Sequence, residues 1–211
     1  MVNILCYGDS NTYGYNPKNG ERYPMDVRWT GVLQRLLGDG YNIIEEGCNG
    51  RTTKHNYGPV TWKNGLDYLR PCLNSHKPID MVIMMLGSND LKHFFHETAE
   101  SVAKSAGELV DLVCDFCQEH QGFKPKVVLV SPPQIGEDVD KLPFKLEFRR
   151  GAHFESMNFS KYFKKEAKRR DCIYFDAAEH VMPSEADCLH LDPEAHEILA
   201  HEFARIVREK L

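Results

Sequence analysis

The chain has 211 residues, of which 42% are hydrophobic and 27% charged, and its formal net charge is −5. This size and composition predict one globular domain spanning residues 1–211. The negative charge argues against a nucleic acid or an anionic membrane as a partner, and no stretch approaches the roughly 18 apolar residues of a spanning helix.

The N-terminus and the cysteines together favour a cytoplasmic protein. Met1–Cys6 has no basic region and no long apolar stretch, so we interpret it as a first strand rather than a signal peptide. The seven cysteines are odd in number and lack the spacing of a small disulfide framework. They are therefore expected to be free thiols in a reducing compartment.

Five short apolar runs predict the strands. Runs that are apolar almost throughout are typical of parallel strands buried on both faces. In chain order they are Val2–Tyr7, Tyr41–Glu45, Met81–Leu86, Val127–Val130 and Cys172–Phe175.

Amphipathic segments between the strands predict helices. The last is marked by Asp192 as N-cap and Pro193 at the first helical position. Two longer stretches are expected to be loops, of which the second would form a lid or pocket wall. The helices are Trp29–Leu37, Thr98–His120, Phe154–Arg170 and Glu194–Leu211, and the loops are Asn11–Asp26 and Ser131–Phe148. Alternating strands and helices predict an α/β fold with a parallel sheet between helical layers.

Four polar islands follow the strands in an order that predicts an active site. They are Gly8–Asn11, Gly47–Thr52, Gly87–Asp90 and Asp187–His190. Ligands of parallel sheets collect beyond the carboxyl ends of the strands. Because the first three islands follow successive strands and the fourth precedes the last helix, all four are expected at the same edge of the sheet.

The residue types in these islands suit nucleophilic catalysis. Ser10 would be the nucleophile, His190 the base that removes its proton, and Asp187 the carboxylate that orients the imidazole. The backbone N–H groups of Ser10 and Gly50 and the side-chain amide of Asn89 would stabilise an oxyanion. Each island alone could equally be a turn, a cap or a polar loop.

Two other features of the sequence argue against alternative chemistries. Thr12 stands where the Gly-x-Ser-x-Gly elbow of α/β-hydrolases requires glycine. Cys114 and Cys117, with His120 three residues further on, would suit a metal or a redox dithiol, but they share one stripe of a predicted helix and lack a fourth ligand. We interpret them as core side chains and expect neither a metal nor a cofactor in the reaction.

The four islands resemble the conserved blocks of the SGNH hydrolases, also called the GDSL family, which supply Ser, Gly, Asn and His in this order. The resemblance covers nearly the whole chain. It implies a three-layer α/β/α sandwich with a five-stranded parallel sheet of flavodoxin-like order.

Several stretches are similar to the arylesterase and acyltransferase branch of that family. They are Asp26–Gly31, Glu45–Gly47 with Arg51–Thr53, and Met85–Asp90 followed by Lys92. That branch implies activity on short-chain acyl esters and assembly as a homo-oligomer.

Two departures from this branch concern the expected substrate contacts. Asn11 stands where Leu is frequent, and Tyr13 and Tyr15 stand where Trp is usual. The pocket is therefore expected to be more polar, with Asn11, Tyr15 and Lys92 as substrate-binding residues.

The sequence thus predicts a serine esterase that hydrolyses acetyl-type esters of small molecules through an acyl-enzyme, with possible acyl transfer to alcohols. A deacetylase of acetylated sugars is the alternative within the same chemistry. A non-catalytic binding module that keeps the fold is the alternative from another class.

Overall fold

A computed structural model describes residues 1–211 and contains one five-stranded parallel sheet. The strands are β1 (Val2–Gly8), β2 (Tyr41–Gly47), β3 (Met81–Met85), β4 (Lys126–Ser131) and β5 (Ile173–Asp176). Their order in the sheet is β2-β1-β3-β4-β5, and every neighbouring pair is parallel. The five strands and the flavodoxin-like order are therefore confirmed.

Helices cover both faces of the sheet and complete the three-layer sandwich that was expected. They are α1 (Ser10–Tyr13), α2 (Trp29–Leu37), α3 (Gly65–His76), α4 (Ala99–Gln121), α5 (Arg150–Ser156), α6 (Phe159–Arg169) and α7 (Pro193–Lys210). The helices α3, α4 and α6 share one core with the sheet, and α2 and α7 share the other. None of these helices combines the length and apolarity needed to cross a membrane.

The two cores follow from the alternation of side chains along the buried strands. In β1, Leu5 and Tyr7 point into the core beneath α3 and α4, while Ile4 and Cys6 point into the core beneath α2 and α7. Successive strand residues face opposite sides, so a strand between two helical layers must be apolar at nearly every position.

Helix α3 has no counterpart among the predicted elements, because Pro71 lies in its interior and weakens the helical pattern. The helix forms despite the proline. The Asn64 side chain caps its first turn by accepting from the N–H groups of Leu66 and Asp67 at 3.0 and 3.2 Å. Burial of Leu69 and Leu73 supplies the tertiary packing that local propensity lacks.

The helix predicted over Phe154–Arg170 is wrong in extent, because the structure divides this region into α5 and α6. The break follows a tertiary contact. Ser156 Oγ accepts from the backbone N–H of Ile135 at 2.9 Å and donates to the carbonyl of His153 at 2.8 Å. The end of α5 is thereby tied to the loop after β4, and the chain turns before α6 begins.

We expect Phe203→Ala to lower the free energy of unfolding by about 3–5 kcal/mol. Phe203 is fully buried, with its ring centroid 4.9 Å from that of Trp29 and 5.1 Å from that of Phe175. Equilibrium urea unfolding measures the change. Phe123, 41% exposed, is the control, and its alanine variant should lose less than about 1 kcal/mol. Equal losses in the two variants would contradict this assignment of the core.

Candidate active site

A cavity of about 420 Å³ lies at the carboxyl edge of the sheet and brings the sequence-predicted residues together. Ser10, Gly50 and Asn89 follow β1, β2 and β3, and His190 lies just before α7. The residues that line the cavity are Ser10, Tyr15, Gly50, Tyr57, Lys63, Asn89, Lys92, Phe94, Phe144, Glu147, Phe148, Leu189 and His190.

Ser10 is the first residue of α1, at the turn that leaves β1. Asp9 caps this short helix, and its Oδ1 accepts from the backbone N–H of Asn11 at 3.0 Å. The turn packs against Gly47 at the end of β2, where a Cβ atom would lie 2.1 Å from the Tyr13 nitrogen. Only glycine permits this approach, so the island at the end of β2 helps to hold Ser10 in place.

Ser10, His190 and Asp187 form a buried chain of hydrogen bonds. The distance from His190 Nε2 to Ser10 Oγ is 2.8 Å, and that from His190 Nδ1 to Asp187 Oδ2 is 2.6 Å. Asp187 Oδ1 also accepts from the N–H groups of Leu189 and His190, each at 2.9 Å. Burial raises the pKa of Asp187, but these hydrogen bonds and the neighbouring imidazole outweigh it and lower the pKa.

Three residues with potential oxyanion donors, Ser10, Gly50 and Asn89, line the same cavity. The backbone N–H groups of Ser10 and Gly50 donate to no other group of the protein. Gly50 has a φ of +78°, a left-handed conformation that favours glycine. Asn89 Nδ2 donates to the Arg51 carbonyl at 3.2 Å and to Asp9 Oδ2 at 3.4 Å.

Two buried carboxyl groups, Asp9 and Asp90, are next to Ser10 and Asn89 in the chain. Burial raises the pKa of Asp9 to about 6 and that of Asp90 to about 7, although hydrogen bonds to both carboxylates oppose the shift. Asp90 accepts from the backbone N–H of Thr53 at 3.0 Å, which ties the end of β3 to the segment after β2. The loops that carry Gly50 and Asn89 are therefore connected to each other.

Two of the three expected substrate contacts line the cavity. The Tyr15 ring packs on the His190 imidazole, with a centroid distance of 4.2 Å. The Lys92 side chain is 8% exposed and pairs with Glu147. Burial lowers the pKa of Lys92, and the nearby Glu147 carboxylate opposes this effect.

Asn11, the third expected substrate contact, is not among the residues that line the cavity. Its Nδ2 donates to the Leu189 carbonyl at 3.3 Å. Its own carbonyl accepts from the Trp29 indole at 3.1 Å. Asn11 therefore joins the Ser10 turn to the segment that carries His190.

The sequence comparison agrees with this geometry. Residues 6–198 match the profile of the GDSL-like lipase/acylhydrolase family. The chain belongs to this family. No curated protein sequence gives a significant match.

Solved structures place this GDSL hydrolase among esterases. Est24, a carbohydrate acetylesterase from Sinorhizobium meliloti, is 36% identical with a TM-score of 0.93, and the match covers 100% of both chains. The aryl esterase of Mycobacterium smegmatis is 34% identical with a TM-score of 0.93, again over 100% of both chains. The chain is accordingly a carboxylic ester hydrolase.

Several cavity residues of this hydrolase were not singled out from the sequence as site residues. Tyr57 and Lys63 come from the segment after β2, and Phe94 from the segment after β3. Phe144, Glu147 and Phe148 belong to the long loop predicted as a lid or pocket wall, and they form part of the wall. The length of that loop was the available signal, but which of its side chains face the cavity depends on the fold.

A second buried histidine lies near the site and differs from His190 in its contacts. His196 in α7 is fully buried, and its Nδ1 accepts from the backbone N–H of Trp29 at 3.3 Å. Burial, with a smaller contribution from nearby His190, lowers the pKa of His196 to about 3. The imidazole is therefore neutral in the native state at neutral pH.

We expect His196→Gln to flatten the acid side of the stability profile. An unfolded histidine titrates near pH 6.5, so between this value and about 3 the unfolded state binds a proton that native His196 does not. Stability should therefore fall with decreasing pH, and His196 contributes up to about 1.4 kcal/mol per pH unit. Urea unfolding from pH ~7 to ~4.5 measures this slope.

The exposed His201 of the same helix provides the matched control. His201→Gln should leave the profile parallel to that of the unmodified chain. A His196→Gln profile that is equally steep would show that His196 takes up its proton in the native state.

Proposed function

We propose that this hydrolase is a serine esterase that acts on short-chain, acetyl-type esters through a Ser10–His190–Asp187 triad. The observation that carries the proposal is the continuous hydrogen-bonded chain from Asp187 Oδ2 through the imidazole to Ser10 Oγ. Ser10 Oγ lies at a cavity, so a substrate carbonyl can reach it.

In the proposed reaction, His190 Nε2 takes the proton of Ser10 Oγ as that oxygen attacks the ester carbonyl. Asp187 holds the proton on Nδ1 and stabilises the imidazolium. The tetrahedral intermediate collapses, the alcohol leaves with the proton from His190, and the acyl group remains on Ser10. His190 then activates a water molecule that releases the acid.

The oxyanion would be held by three donors. The free N–H groups of Ser10 and Gly50 need no rearrangement to donate to it. The Asn89 N–H that now reaches Asp9 across 3.4 Å would turn toward the oxyanion as that charge develops.

Acyl transfer to alcohols is a further part of the proposal. The rings of Tyr15 and Phe144 lie 4.2 and 5.4 Å from the His190 ring, between centroids. Apolar surface at this position favours an organic alcohol over water as the acceptor of the acyl group. Partition of the acyl-enzyme between ester and acid in alcohol–water mixtures measures this preference.

Hydrolysis of acetylated sugars is a second candidate, and the polar side of the cavity favours it. Lys63, Lys92, Glu147 and the hydroxyl of Tyr57 can hydrogen-bond a polyhydroxyl leaving group. The S. meliloti relative is described as a carbohydrate acetylesterase. Comparison of kcat/KM for acetylated sugars and for aryl acetates distinguishes the candidates, with a higher value for the sugars favouring the second.

We also propose that residues 1–211 form a single domain and act in the cytoplasm as a homo-oligomer. All seven cysteines are free, which suits a reducing compartment. Exposed apolar side chains near the cavity, including Trp62, Phe94 and Leu146, suit contacts between subunits. Size-exclusion chromatography with light scattering tests the assembly.

Ser10→Ala should reduce the hydrolysis of para-nitrophenyl acetate by about 10⁴–10⁶-fold in kcat, because no other hydroxyl is placed against His190. A fluorophosphonate should label the unmodified chain and leave Ser10→Ala unlabelled. Ser75→Ala, an exposed position in α3, is the control and should retain full turnover. A folded chain that is neither active nor labelled would instead support a binding module.

Asn89→Ala should lower kcat by about 10²–10³-fold while KM changes little, because the amide acts on charge that develops only in the transition state. Steady-state kinetics with para-nitrophenyl acetate measures both constants. Asn19→Ala removes an exposed asparagine and should change neither. If only KM rises in Asn89→Ala, then Asn89 binds the substrate ground state and is not an oxyanion donor.

A further inference from the structure

Three potential metal ligands converge between β2 and α3, outside the Ser10 cavity. They are Glu46 in β2 and Cys72 and His76 in α3. The carboxylate oxygen, the thiol sulfur and the imidazole nitrogen lie within 4.8 Å of one another. None of these residues lines the cavity that contains Ser10.

The fold produces this convergence in a simple way. Cys72 and His76 are four residues apart in a helix, so their side chains share one face. Glu46 reaches that face from the end of β2, and its Oε1 lies 2.9 Å from His76 Nε2. The Glu46 and His76 side chains are 17% and 30% exposed, so an ion can enter from solvent although Cys72 is buried.

The surroundings of the cluster keep Glu46 in place. Arg51 Nη1 donates to the Glu46 carbonyl and to the Gly8 carbonyl, and Arg51 Nη2 lies 4.0 Å from Glu46 Oε2. The guanidinium also packs over the Tyr7 ring at 4.3 Å. Arg51 therefore engages the backbone and the far oxygen of Glu46 and leaves Oε1 on the side of Cys72 and His76.

We propose that Glu46, Cys72 and His76 bind one thiophilic divalent cation, with zinc as the best match, and that a water molecule completes a tetrahedral site. One thiolate, one imidazole and one carboxylate form a donor set that zinc accepts. In a tetrahedral site with metal–ligand bonds of about 2.0–2.3 Å, the ligand atoms lie roughly 3.4 Å from one another. Small side-chain rotations would bring the three ligand atoms to these distances. Binding forms a metal–sulfur bond, releases the Cys72 proton to solvent and changes no oxidation state.

Cobalt(II) is the direct probe, because a cobalt–thiolate bond gives a charge-transfer absorption band that carboxylate and imidazole ligands do not. Titration of the full-length chain with Co²⁺ should produce this band with a stoichiometry of one. Zn²⁺ should then abolish it by displacement. Cys72→Ser should lack the band, and His76→Gln should weaken Co²⁺ binding by about tenfold or more.

Cys114, Cys117 and His120 on α4 provide the matched control. They include two cysteines and a histidine on one helix, but their ligand atoms do not all lie within 4.8 Å of one another. The triple variant Cys114→Ser, Cys117→Ser, His120→Gln should keep the band and the affinity of the unmodified chain. Esterase turnover and circular dichroism establish that each variant is folded.

Thermal unfolding gives a second measurement. An ion that binds only the folded chain raises Tm as its concentration rises above Kd. Zn²⁺ should raise Tm of the unmodified chain and of the α4 triple variant, and it should raise Tm of folded His76→Gln much less. The proposal is wrong if the unmodified chain gives no cobalt–thiolate band, if the band persists in Cys72→Ser, or if the band is lost in the α4 triple variant.

Discussion

The parallel pairing of β1 with β2 on one side and β3 on the other is the constraint on which the site depends. Parallel pairing makes the three strands end together, so the residues that follow them must gather at one edge. Ser10, Gly50 and Asn89 meet there although they are far apart in the chain. Residues 177–192, which connect β5 to α7, then carry His190 back to the same edge.

The balance between burial and hydrogen bonding differs among the carboxyl groups of this edge. Asp187 is held in its charged form by the backbone N–H groups of Leu189 and His190 and by the imidazole itself. Burial also raises the pKa of Asp9 and Asp90, and at these two residues the hydrogen bonds do not outweigh it. At Asp187, the hydrogen bonds and the imidazole therefore hold negative charge on the carboxylate next to His190, where it can stabilise an imidazolium.

The cavity wall is where this chain can differ from its relatives in specificity. The whole chain shares its fold with an aryl esterase and with a carbohydrate acetylesterase, and both match over their full length. A fold common to both cannot determine the leaving group, because specificity resides in the side chains around the reacting atoms. In this chain those side chains combine the aromatic rings of Tyr15 and Phe144 with the charged Lys92–Glu147 pair. The wall can accordingly contact both an apolar and a polar portion of one substrate.

Elements whose residues face a single environment could be predicted from the sequence. The apolar strands, the helix Trp29–Leu37 and the four polar islands were predictable, because burial on both faces and strand-end turns leave local patterns. The remaining features depend on contacts between distant segments. Pro71 weakens the helical pattern of α3, so this helix, which packing stabilises, was not predicted. The contact between Ser156 and Ile135 divides a continuous amphipathic pattern into α5 and α6. Asn11 hydrogen-bonds the Leu189 carbonyl, and Glu46 lies beside Cys72 and His76, although no sequence motif links these residues. The reason is physical: contacts between distant segments depend on how layers pack, and packing leaves no periodic signal in either segment alone.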